Sequence, residues 1–184
     1  MRTRNTVSVA LFAALLVVLS LVPPVPMPGV PVPVTLQLLG VILAGCMLGP
    51  VRGPLAVLLY LVLAAIGLPV LPGGRGGLGV FAGPTGGFLV GMLVGSAVCG
   101  GLARLLAPRT DNPFVSVVGN FVGAMACVAV VYAIGTPWLA AVTGIDNGKA
   151  MMGMLPFVPV DVAKAGVGAL VAYRVQRVWP MNGR

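Results

Sequence analysis

Histidine and glutamate are absent from the sequence, and aspartate occurs only three times, as Asp111, Asp146 and Asp161. Their scarcity removes the usual general acid–base groups and the usual ligands of a catalytic metal. The three cysteines, Cys46, Cys99 and Cys127, lie inside apolar runs at spacings that fit no metal motif, and read as small packing residues. Charge of either sign is scarce, at 8% of 184 residues, against roughly 25% in a soluble domain. No Gly-x-x-x-x-Gly-Lys-Ser/Thr segment occurs, so this chain is not expected to hydrolyse ATP itself. Neither an enzyme nor a resident cofactor or metal is expected.

What the sequence has in abundance is apolar surface. Hydrophobic residues make up 59% of the chain, and the mean hydropathy is +1.09. So much apolar surface needs lipid as its solvent, which implies one all-α integral membrane domain over residues 1–184. A net charge of +8 is scattered between hydrophobic runs. No basic patch with interleaved aromatics forms, so nucleic acid is not an expected partner.

Arg2 and Arg4 precede an apolar run over residues 7–22, which could be a secretory signal or a first spanning helix. The following PPVPMPGVPVPV holds no small-residue cleavage site, so the run reads as a helix. Ala10 and Ala14 share one face of it, a small-residue strip that either docks another helix or packs inside the bundle. Prolines over residues 23–33 exclude a helix there. A second span over 35–49 opens with Thr35 and Gln37, Gly49-Pro50 begins a tight turn, and a third span over 55–70 contains Tyr60.

The fourth span, 85–106, carries Gly87, Gly91 and Gly95 on one strip, which allows close backbone contact with a neighbour. Arg104, Arg109 and Asp111 mark a polar turn after it. The fifth span, 114–134, has Gly119 and Gly123 on one face with Asn120 beside them, either an interhelical hydrogen-bonding residue or a ligand contact. Gly135-Thr136-Pro137 is expected to stop this helix. Residues 138–154, with Asp146, Asn147 and Lys149, are expected to lie over the outer face, anchored by Trp138. The sixth span, 156–178, runs to Arg174 and Arg177, with Trp179 just beyond.

Six spans put both termini on one side. Arg2, Arg4, Arg52, Arg104, Arg109, Arg174, Arg177 and Arg184 fall on that side, against Arg75 and Lys149 on the other. The positive-inside rule then places both termini in the cytoplasm.

The sixth span begins LPFVPVDVAKAGVGALVAY, an apolar run whose only charges are Asp161 and Lys164. Three residues apart, they share a helix face. Lys164 lies on the order of 12 Å into a layer about 30 Å thick. Such charges cost about 2.5–3.5 kcal/mol at a helix centre, so they pair, face a cavity or serve function. The pair is read as facing a ligand, with a bracing ion pair as the plainer alternative. The second irregular stretch is PGGRGGLGVFAGPTGG, residues 72–87. Irregular backbone near a membrane is tolerated where it is buried in protein or lines a wet cavity. Its end, Gly83-Pro84-Thr85-Gly86, would present backbone N–H groups at a helix N-terminus. A flexible linker is the alternative, and apolar Leu78, Val80, Phe81 and Ala82 argue against it.

PVTLQLLGVILAGCMLGPVRG, FAGPTGGFLVG and PFVPVDVAKA, in that order, resemble the BioY family of biotin-specific substrate-capture subunits of energy-coupling-factor (ECF) transporters. The likeness covers nearly the whole chain. Two departures are the proline-rich first connection and the glycines that flank Arg75 in the loop. The resemblance implies a bacterial inner-membrane protein that binds biotin from outside and works with a transmembrane coupling protein and a pair of cytoplasmic ATPases. It implies that Ala10 and Ala14 dock the coupling protein, that the 72–87 loop is a lid, and that Asp161 and Lys164 are the polar pair of the pocket. Gly83, Pro84, Thr85, Gly86, Phe81, Tyr60, Asn120 and Gln37 complete the expected substrate contacts, with Phe81 and Tyr60 covering the apolar ring. The nearest rival is a stand-alone secondary transporter for biotin or another small anionic vitamin. Such a protein normally shows internal repeats and more intramembrane polar residues, and neither is present.

Overall fold

A computed structural model describes residues 3–27, 32–107 and 112–178. Arg2, Arg109, Asp111, Trp179 and Arg184 lie outside the described residues, as does part of the proline-rich connection. The elements are helices: α1 Thr3–Leu21, α2 Gln37–Ala65, α3 Gly79–Ala82, α4 Gly86–Leu106, α5 Pro113–Thr143, α6 Asn147–Met154 and α7 Val158–Val178. A short 3-10 turn, Leu155–Phe157, links α6 to α7. Among the described residues no strand forms. Isolated bridges join Val25 to Val34 and Leu71 to Arg75. Five helical runs are long and apolar enough to cross a membrane, counting Asn147–Val178 as one.

α2 is a hairpin rather than one rod. Its helical dihedrals break at Gly49, where φ is 84° and ψ −174°. A side chain is strained at such a φ, and Pro50 next in line cannot donate a hydrogen bond back. A Cβ on Gly53 would stand 2.9 Å from the Ala44 carbonyl oxygen. In a straight helix those residues would be on the order of 13 Å apart. The two arms therefore lie side by side, as the Gly49-Pro50 turn signal implies, and the bundle has six long arms.

The glycine strips of α4 and α5 each face the other helix. A Cβ on Gly91 would meet Val131 at 2.9 Å, one on Gly95 would meet Cys127 Sγ at 2.9 Å, and one on Gly123 would meet the Cys99 carbonyl at 2.9 Å. Backbone-to-backbone approach of this kind supplies the dispersion contacts that hold helices together in lipid. Cys46, Cys99 and Cys127 are buried free thiols at this centre, with Cys46 and Cys99 sulfurs 3.4 Å apart.

α5 corrects the expected stop at Gly135-Thr136-Pro137. Asn112 caps its start by accepting from Phe114 N at 3.0 Å, and the helix runs through Pro137 to end at Gly144, φ 72°. Pro137 removes one helical hydrogen bond, but Thr136, Leu139 and Ala140 around it are buried. Tertiary packing outweighs the break. Trp138 is accordingly on α5, where its Nε1 donates to the Gly83 carbonyl at 3.0 Å. Only Asn147–Met154 forms a separate short helix, capped by Asp146, which accepts from Gly148 N at 2.8 Å.

The two ends of the bundle differ. At one, Arg52 Nη1 donates to Asn5 at 3.0 Å, Arg104 covers Gly49, and Gln176 Nε2 donates to the Cys46 carbonyl at 2.8 Å. The start of α1 and the end of α7 lie at this end. At the other end, Ser20 shares a hydrogen bond with Tyr60 at 2.8 Å, and the loops of residues 66–85 gather.

Candidate functional site

The first turn of α7 carries Asp161, and Lys164 follows on the next turn. They are 4% and 7% exposed, and Lys164 Nζ lies 2.8 Å from Asp161 Oδ1. The Tyr132 hydroxyl on α5 donates a short hydrogen bond to the other oxygen, Asp161 Oδ2. Asp161 is therefore satisfied from two helices, while Lys164 keeps N–H donors for something else. The 3-10 turn before α7 sets this arrangement, with Pro156 at its start and Phe157 buried beneath.

These groups form one wall of a pocket. The N-terminal end of α2 adds Gln37, the start of α4 adds Thr85, Phe88, Leu89 and Met92, and the loop adds Leu71, Pro72, Arg75 and Val80. Gln37 is 3% exposed, and its Nε2 has no hydrogen-bond partner. A buried unsatisfied donor costs about 1–3 kcal/mol, so its place on a pocket wall suggests a partner that arrives from outside. The pocket is narrow as it stands, holding about 80 Å³. A drug-sized ligand needs roughly 300 Å³ or more. Beyond Tyr132 and Met154, which both spaces share, lies an apolar cavity of about 440 Å³.

The profile of the BioY family matches residues 1–181. The chain belongs to the BioY family. It is 48% identical over 182 residues to the biotin transporter BioY of Rhizobium etli, covering 98% of this chain and 97% of that one. The biotin transporter BioY of Rhodobacter capsulatus is 43% identical over 186 residues, covering 96% and 95%. A crystal structure of the S-component for biotin from an ECF-type ABC transporter superposes with a TM-score of 0.87 at 31% identity, covering 96% of this chain and 92% of the other.

The structure brings together four of the expected contacts in this BioY chain: Asp161, Lys164, Gln37 and Thr85 all line the pocket. Six others fall elsewhere. Tyr60 is fully buried with its hydroxyl against Ser20 and the Val70 carbonyl. There it braces α1 and the loop. Asn120 is also fully buried, donating to Gln176 Oε1 at 3.5 Å toward the arginine-rich end. Packing between helices, the other reading of Asn120, fits this place.

Phe81, Gly83, Pro84 and Gly86 form the turn into α4 but do not line the pocket, and Val80 takes the place expected of Phe81. Gly86 N donates to the Gly83 carbonyl at 3.0 Å, so this N–H is already spent within the turn. Glycine is required at 86 for another reason. A Cβ there would stand 1.9 Å from the Phe81 carbonyl oxygen and 3.1 Å from Trp138 Nε1. Gly86→Val should therefore displace the loop, at a typical overpacking cost of about 1–3 kcal/mol. We expect ligand affinity to fall about tenfold, read by equilibrium binding. Unchanged affinity would show that the turn does not shape the pocket.

Tyr132 was not legible as a site residue. It lies 29 residues from Asp161, within an apolar run of α5, and no spacing rule links the two.

Proposed function

We propose that this chain captures biotin at the outer face of a bacterial inner membrane, as the substrate-binding S subunit of an ECF-type importer. Both termini lie in the cytoplasm in this reading, and Arg4, Arg52, Arg104, Arg174 and Arg177 mark the inner end. The observation that carries the reading is the buried Asp161–Lys164–Tyr132 group on a pocket wall with the unpartnered Gln37 donor. A ureido ring has N–H donors and a carbonyl acceptor, and so answers both kinds of group. Phe88, Leu89 and Met92 would cover the apolar thioether ring.

Because the pocket is narrow, biotin must widen it. The loop over residues 66–85 is the wall with the fewest helical ties, and its outward movement admits the ligand. Uptake then needs a source of energy. The chain has no phosphate-binding loop, so a transmembrane coupling protein and a pair of cytoplasmic ATPases supply it. The catalytic step of ATP hydrolysis lies in those partners.

The test is equilibrium binding of labelled biotin to the purified chain. Unlabelled biotin should displace the label, while riboflavin and thiamine at the same concentration should not. Equal displacement by either vitamin, or no saturable biotin binding, would overturn the assignment.

A further inference from the structure

We infer that Arg75 receives the carboxylate of biotin, so that the ureido ring enters first and the acidic tail stays at the loop. This rests on the biotin reading of the pocket and adds a direction to it. Among the described residues of the wall, only Arg75, Asp161 and Lys164 carry formal charge. Asp161 and Lys164 are paired at 2.8 Å, so the inner wall has no net charge to offer an anion. Its remaining capacity is that of spare donors on Lys164 and the free amide donor of Gln37. A neutral ureido group fits that set. A carboxylate in the same place would set a second negative charge beside Asp161, away from water, where like charges are costly.

Arg75 lies on the exposed side of the pocket, and its place there is built. Leu71 N donates to the Arg75 carbonyl at 3.0 Å, and Arg75 N donates back to Leu71 O at 3.2 Å. Gly73 and Gly74 turn the chain between them with φ of 76° and 69°, a region where a side chain would be strained. The turn is anchored inward by Leu71, 1% exposed. Arg75 Nε donates to the Pro72 carbonyl at 3.1 Å. That bond restrains the guanidinium and leaves its two terminal nitrogens without a protein acceptor among the described residues. A restrained planar fork is the geometry that takes a carboxylate through two parallel hydrogen bonds. The glycines that flank Arg75 thus form the turn that presents it.

The test compares biotin with its primary amide, which keeps both rings and removes the charge. The parent protein should prefer biotin by about tenfold, the usual scale of one charge-assisted contact. Arg75→Gln should lower biotin affinity by about that factor and leave amide affinity within about twofold, while Arg75→Lys recovers part of the preference. Retained amide binding also shows that the variant is folded. Added salt should weaken biotin binding to the parent and not amide binding. If Arg75→Gln weakens both compounds equally, or leaves the preference for biotin intact, the carboxylate lies elsewhere. A parent protein that binds neither compound overturns the biotin reading itself, and this inference with it.

Discussion

Lys164→Ala should abolish detectable biotin binding while a folded, monodisperse protein is still recovered. The variant leaves Asp161 buried with only Tyr132 to satisfy it. Breaking one partner of a buried pair costs about 3–5 kcal/mol, partly because the other charge is left uncompensated. That cost alone cannot separate a ligand-binding pair from a structural brace, so a second variant is needed. Asp161→Leu combined with Lys164→Met removes both charges and keeps apolar volume. Such replacements of buried pairs are often neutral or stabilising. We expect the double variant to match the parent in thermal stability yet bind no biotin. If it binds normally, the pair only braces α7. Wild-type affinity in Lys164→Ala would likewise exclude a ligand-binding role for the pair.

The pair was legible in the sequence because its surroundings are apolar. One aspartate and one lysine, three apart in a membrane run, have few ways to be stable, and the structure finds them paired and facing a pocket. The glycine strips were legible for a similar reason. Small residues at spacing four carry a geometric meaning in lipid, and Gly91 and Gly95 meet α5 as that meaning requires. What escaped was set by contacts far apart in the chain. Pro137 looked like a helix stop, yet the buried residues around it carry α5 onward to Thr143. Tyr60 and Asn120 looked like ligand contacts because they are polar groups inside spans. Polar groups in lipid need partners first of all: Tyr60 finds one in Ser20, and Asn120 donates to Gln176 while its Oδ1 stays buried without a partner. Tyr132 is the reverse case, a pocket-lining residue whose single polar atom finds its partner across the bundle. Gly86 was legible as necessary, but one reason for it was not: the Phe81 carbonyl packs where a Cβ would stand.

Ala14→Trp should leave biotin binding near normal and remove ATP-dependent uptake. Two places for the Ala10–Ala14 strip were open from sequence: inside the bundle or on its outside. On α1 the buried face is formed by Phe12, Ala13, Leu16 and Ser20, while Ala10 and Ala14 are exposed. Val7, Leu11 and Val18 share that outer side, at 60%, 59% and 62% exposed. Lipid alone would be content with large apolar residues along the whole face. Alanines at 10 and 14 open a shallow groove in it, which permits the close backbone approach of another membrane helix. A tryptophan at 14 fills that groove and touches neither the core nor the pocket. The paired measurement is biotin binding on the purified variant and uptake in cells that supply the coupling protein and ATPases, with co-purification of the coupling protein as a third readout. Ala13→Trp is the contrasting variant. Ala13 is 2% exposed, so overfilling it should cost about 1–3 kcal/mol and lower binding and uptake together. Normal uptake by Ala14→Trp would remove the docking role from this face. Joint loss of binding and uptake would show that position 14 supports the fold, which its exposure argues against.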